Sequence, residues 1–200
     1  MKRYLTLSAC AVLKSAESLD VKFVPPLMLR RLSALQKIYF HLAKAVEKNP
    51  AASTVFSSRD GEDSLTRRLV DEFHEEATVS PHRFSASVYN AAPGLWSVYT
   101  RNRAPYTAVA AGEDSIECGL LEILGDSGAR MFVYAEETGG GYGASLFFDD
   151  DPSGRKLVVT GGDPSRKSVT FTDLCDFISG VRSSLDGRWI TIKDAACEER

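Results

Sequence analysis

Residues able to do covalent or metal chemistry are few in this 200-residue chain, and their spacing is poor for it. Cys10, Cys118, Cys175 and Cys197 lie far apart with no CxxC pair, whereas metal ligands usually pair at intervals of about two to four residues. Cys118 and Cys175 sit within apolar helical patterns and read as packing residues of a reduced protein, and no metal site is expected. His41 and His74 fall on predicted helices and His82 at a helix start, none beside a metal motif, and no histidine follows His82. Gly139-Gly140-Gly141-Tyr142-Gly143 resembles a phosphate loop but lacks the Lys-Ser/Thr that would complete one. Asp149-Asp150-Asp151 runs into Pro152 and Gly154, which make it a solvated turn rather than a calcium loop. The stretch from Ser87 to Glu122 remains. It reads as a helix, a turn, a strand, a sharp elbow at Gly112-Glu113-Asp114-Ser115 and a second helix. Many α/β enzymes hold a nucleophile at such an elbow, because a helix N-terminus stabilises developing negative charge. This elbow holds no cysteine. Cys118, within the following helix, is the alternative nucleophile of an independent acyltransferase, and the sequence places no histidine beside it.

Alternating elements must position that elbow. Ala108 to Ala111 are small and apolar, which predicts a strand covered on both faces, entered in extended form before Pro105. Upstream, Tyr4–Leu13 reads as a strand rather than a signal peptide. A helix from about Leu29 to Glu47 follows, with Leu32, Leu35, Ile38, Tyr39, Leu42 and Val46 at helical spacing. Ser53–Ser58 is a buried strand, Ser64 caps a helix to about Glu75, and Ser80-Pro81 opens a short helix. Downstream come strands at Met131–Ala135, Ala144–Phe148 and Lys156–Thr160. A helix at Thr172–Arg182, a strand at Arg188–Ile192 and a frayed tail from Ala195 end the chain. This alternation predicts a layered α/β fold, with residues 1–200 as a single domain.

The run SVYNAAPGLWSVYTRNRAPYTAVAAGEDS resembles the β-ketoacyl synthase segment that leads into the nucleophilic cysteine. The closer resemblance is to a shortened ketosynthase-like N-terminal-domain family, carried by the Gly-Glu-Asp elbow, Arg30-Arg31 and Ser80-Pro81, and most specific between Ser57 and Glu137. The cysteine position falls on Glu113 without gaps, and on Ala110 or Ala111 with one. The resemblance implies a thiolase-like layered fold, shortened to roughly one ketosynthase half around a mixed central sheet. It also implies a non-catalytic subunit like a chain length factor. Such a subunit pairs with an active ketosynthase, completes the acyl tunnel and limits polyketide or aryl polyene length. The ketosynthase is then the lasting partner, an acyl carrier protein a transient one, and no cofactor is needed. By the same resemblance, dimers form through the segments matching Ser87–Tyr99 and Tyr106–Ala110. Tyr89, Asn90, Trp96, Tyr99, Tyr106, Thr107, Ala108 and Val109 become tunnel or interface residues, although each bulky one could equally fill the core. A scaffold recruiting an acyl carrier protein through surface Arg or Lys is the further alternative.

Composition bounds these readings. A net charge of −3 and a pI near 5.7 leave no footprint for nucleic acid. No apolar run approaches the roughly 18 residues that span a bilayer, so a cytoplasmic protein without a membrane span is expected.

Overall fold

The spine of the fold is β1 (Arg3–Leu13), because its two halves pair with different strands. Its first half is antiparallel to β6 (Arg155–Gly161), with Leu5 opposite Leu157, and its second half to β5 (Tyr142–Phe148), with Cys10 opposite Leu146. The computed structural model describes residues 2–125 and 127–197. On the β5 side the sheet continues through β4 (Arg130–Glu136) to β2 (Ser53–Ser57) and β3 (Tyr106–Val109), the last three running parallel. On the β6 side it continues through β8 (Ile190–Asp194) to β7 (Ser184–Asp186). The described residues thus form a mixed eight-stranded sheet in the order β3-β2-β4-β5-β1-β6-β8-β7.

Side chains alternate across a strand, and the core divides accordingly. From β4, Met131, Val133 and Ala135 join one cluster, while Phe132 and Tyr134 join the other. The first cluster is completed by α2 (Ala34–Val46) and α5 (Ala91–Thr100), through Leu35, Tyr39, Phe40 and Trp96. The second is completed by α6 (Ser115–Ile123) and α7 (Phe171–Ile178), through Ile116, Leu120, Leu174 and Phe177. Helix α6 lies close against the sheet because Gly119 has no side chain. A Cβ there would stand 2.6 Å from Phe132 and 2.9 Å from Ser57.

Several expectations need correction. The helix predicted from Leu29 is two pieces, α1 (Pro26–Leu29) and α2, because Ser33 and Gln36 form a capping box that starts α2 afresh. Ser64 does not cap its helix. Glu62 holds the N-cap position of α3 (Asp63–Glu76), and Ser64 lies within the first turn. The short helix after Ser80 is α4 (Pro81–Ser87). Strand β7 was not foreseen. The largest correction concerns β3, which is an edge strand rather than one covered on both faces. Thr107, Ala108 and Val109 are half-buried, and Ala110 is exposed. The small side chains mark the end of the sheet, not its middle. Ala195–Cys197 form a 3-10 turn. Met1, Asp126 and the last three tail residues, 198–200, lie outside the described residues.

Candidate functional site

The elbow follows β3 directly. Gly112, at φ +58°, turns the chain into a 3-10 turn over Gly112–Asp114, and α6 begins at Ser115. The Ser115 hydroxyl braces the turn, donating to Gly112 O at 2.8 Å and accepting from Ala111 N at 3.0 Å. Ala110, Ala111 and Glu113 bring no nucleophile, and Glu113 is exposed. Glu113 stands on the rim of a cavity of about 550 Å³, with Arg59, Lys167 and Arg188. Aromatic rings line it, with Tyr142 and Phe171 centred 4.6 Å apart and Tyr134 beside both. Asp114 is held below the usual carboxylate range, chiefly by the Ser168 hydroxyl.

Cys118 is poorly placed for attack. It is half-buried, and burial pushes its thiol up, with the charges of Asp114 and Glu117 adding to the shift. A reactive thiolate needs the opposite, an electropositive setting. The buried carboxylates do structural work instead. Glu117 is 0% exposed and accepts from the backbone N–H groups of Val169 at 2.9 Å, Trp189 at 2.6 Å and Ile190 at 3.3 Å. Glu136 ends β4 and accepts from the Ser58 hydroxyl at 3.0 Å and from the Arg59 and Asp60 backbone; burial raises its carboxyl. Glu62 accepts from Ser33 Oγ at 2.8 Å and Gln36 Nε2 at 2.9 Å. Burial nonetheless pushes it up to about 7, helped by the charge of Glu137.

The open side of the molecule lies at β3 and α5. Tyr89 ties that region down, since its hydroxyl accepts from Ser58 N at 2.9 Å and lies 2.8 Å from Val109 O. Asn90 is exposed at the start of α5 and makes no side-chain cap. Tyr106 is 40% exposed and lines an apolar groove of about 780 Å³ with Asn90. Leu27, Val88, Leu95 and Val98 supply much of the remaining wall, and Val98 is 73% exposed. Trp96 and Tyr99 point the other way. Trp96 is 1% exposed, packed edge-on to Phe40 at 5.1 Å, and Tyr99 donates to Phe23 O at 3.1 Å. The structure therefore gathers Asn90 and Tyr106 at the groove, puts Thr107 to Val109 along the free edge, and sends Trp96 into the core. Sequence reasoning missed Leu95 and Val98. The signal was there: α5 is apolar on every side, which marks a helix meant to be covered all round.

Comparison with known proteins gives three findings. The family model described as β-ketoacyl synthase, N-terminal domain, matches residues 6–130. No curated protein matches the sequence. Among solved structures, a ketosynthase (ApeO) in complex with its chain length factor (ApeC) from Xenorhabdus doucetiae superposes with a TM-score of 0.74. The identity is 16%, over 95% of this chain and 98% of that one, so the two chains are of nearly equal length. The ishigamide ketosynthase/chain length factor aligns at TM-score 0.56 and 15% identity, over 74% of this chain and 55% of that one. A type II acyl-carrier protein in complex with its ketosynthase, AntDE:AntF, aligns at 0.57 and 8% identity, over 81% and 70%. The mixed sheet between two helical layers is thus the thiolase-like fold of ketosynthases. Among the described residues, no helix is long and apolar enough to cross a membrane.

Proposed function

The chain belongs to the β-ketoacyl synthase N-terminal-domain family, and from that premise we propose that it is a non-catalytic partner of an active ketosynthase, acting as a chain length factor. The observation that carries this reading is the unpaired edge of β3 beside the open apolar groove. A contiguous apolar wall of this kind marks an interaction site. The partner docks on Tyr106 to Val109 and the outer face of α5, and roofs the groove into a chamber for a growing acyl chain. Groove width and depth, set by Leu27, Val88, Leu95 and Val98, then limit how far the chain extends.

The elbow supports the same assignment. With Ala110, Ala111 and Glu113 in place of a nucleophile, and Cys118 half-buried as a thiol, condensation falls to the partner's own residues. Residues 1–200 act as one unit in this reading, cytoplasmic, without a cofactor, with an acyl carrier protein visiting the complex. An aryl polyene or other polyketide pathway is the setting. The nearly equal length of the chain matched in the ketosynthase–chain length factor complex agrees with a short subunit of this kind.

Co-expression with the ketosynthase encoded beside it tests the proposal. A stable one-to-one complex that condenses, with neither chain active alone, is the expected result. A monomer that ignores the ketosynthase, or turnover by this chain alone that is lost in Cys118→Ala, overturns it.

A further inference from the structure

Gln36 is 0% exposed at the start of α2, and both donors of its amide are in use. Its Nε2 donates to Glu62 Oε1 at the head of α3 and to Ala86 O near the end of α4, each at 2.9 Å. Its Oε1 accepts from Ser33 N at 3.0 Å. The Ser33 hydroxyl donates to the same Glu62 oxygen at 2.8 Å. One carboxyl and one amide therefore tie α2, α3 and α4 together. That carboxyl is only half used: Glu62 is 4% exposed, and its Oε2 has no hydrogen-bond partner.

Helix α4 depends on this tie. None of its seven residues is buried, and Phe84 is 58% exposed. Among the described residues, its hydrogen bonds to other helices are the one from Gln36 to Ala86 O and an exposed ion pair from Arg83 to Glu72. Exposed pairs contribute little. Yet His82, Ser85 and Ala86 line the apolar groove. We propose that Glu62 is a positioning residue of the groove: carrying a proton, it holds α4 through Gln36 as one wall, and on ionising it releases that wall. The inference rests on the groove being a chamber wall, and it adds how that wall is held.

The direction follows from burial. Closed and ionised, Glu62 keeps a charge out of water with one oxygen unpaired, which is a costly state. Burial accordingly pushes its carboxyl up to about 7. The surrounding charges do not offset this. Glu137, after β4, adds a like charge. Ser33 and Gln36 from α2 are neutral, Asp63 on α3 is engaged by Arg67, and Arg83 on α4 by Glu72. Arg30, Arg31, Arg68 and His82 are exposed around an adjoining cavity, and none forms an ion pair with Glu62 among the described residues. That cavity, of about 340 Å³, is also lined by Ser33, Leu65 and Ala86, from all three tied elements. Parting α4 there brings water to the carboxylate.

Native-state hydrogen exchange of the full chain at low urea reads the wall directly, on the amides of residues 84–87. Corrected for the intrinsic exchange rate, their protection is expected to fall about tenfold from about pH 6 to pH 8, as one proton lost on opening dictates. It is also expected to ignore urea that speeds exchange in β4, because the opening is local. Glu62→Gln keeps the acceptor and cannot ionise, so its protection should stay flat over that range. Gln36→Met is expected to lower protection roughly tenfold at both ends of the range, the loss of one bridging hydrogen bond. A flat parent profile overturns the proposal, as does a Glu62→Gln profile as steep as the parent's. Gln36→Met with the parent's protection, or residues 84–87 exchanging with the urea dependence of β4, overturns it too. In complex with the ketosynthase, product length is compared between parent and Glu62→Gln at each pH. The two should agree near pH 6 and diverge near pH 8; agreement at both, in a complex that pairs, sinks the positioning role. A parent whose α4 opens with pH but which never pairs sinks the chain-length reading alone.

Discussion

The two ends of the sheet are finished differently, although each stops at an edge strand, β3 or β7. At the β7 end, three added strands and α7 close the second core cluster. Glu117 staples α6 to the loops around Val169 and Trp189, and Arg155 forks onto Asp194 at 2.6 and 2.7 Å while donating to Phe177 O at 2.8 Å. At the β3 end the sheet simply stops. Its last strand is half-covered, its hydrogen-bonding edge is free, and Val98 and Tyr106 face outward beside the groove. Val181 and Trp189 stay exposed near the β7 end as well, so what sets the β3 end apart is the apolar groove beside its edge. The difference teaches that a groove, and not a bare edge, distinguishes the two ends.

Substitutions at the two ends should separate stability from pairing. The largest loss of stability is expected at Trp96→Ala, about 4 kcal/mol, because a fully buried indole leaves a cavity; urea unfolding measures it, and a loss under 1 kcal/mol means the ring is not core. Next comes Glu117→Ala at the closed end, roughly 3 kcal/mol, since three backbone N–H groups lose their acceptor at once. An unchanged unfolding midpoint there would show that the staple is dispensable and the two ends are alike.

A third test uses pH. Burial raises the Glu62 carboxyl to about 7, so the folded state prefers it protonated. Its contribution is fully present below the ordinary carboxylate range and is lost as pH climbs through 7. Glu62→Gln should therefore gain on the parent by roughly 2 kcal/mol between about pH 5 and pH 8. Parallel stability curves for the two proteins refute this. Glu136 is raised in the same direction, so the parent's slope should shrink rather than vanish. The smallest effect on stability, within about 0.5 kcal/mol, is expected at Val98→Lys, an exposed position. The same change should abolish the one-to-one complex. Trp96 and Val98 sit two residues apart on one helix, so opposite outcomes there sharpen the contrast most.

Much of this was legible, and the gaps have causes. The helical repeat through Ile38, Tyr39 and Leu42 and the apolar run Met131–Ala135 placed α2 and β4, because periodicity is a local property. The break before α2 is also written locally, as Ser33 and Gln36 three residues apart. The edge position of β3 was not legible, since four small residues suit a strand packed on both faces and one abandoned at a margin equally well. Nor could Glu117 be recognised as a staple. Its partners lie 52 to 73 residues away, and nothing in SIECGLLE distinguishes a buried acid from a solvated one.

The two-partner spine has a consequence in time. Strand β1 is made well before both of its neighbours, β5 and β6, which come from residues 142 to 161. During synthesis it must wait, bare along both edges, until those two strands have emerged. Long-range pairing of this kind slows folding and leaves strand edges available to other chains. Truncations ending before Tyr142 should therefore aggregate on the ribosome rather than accumulate as smaller soluble domains, and a folding helper that shields extended apolar chain should raise the yield of the whole protein.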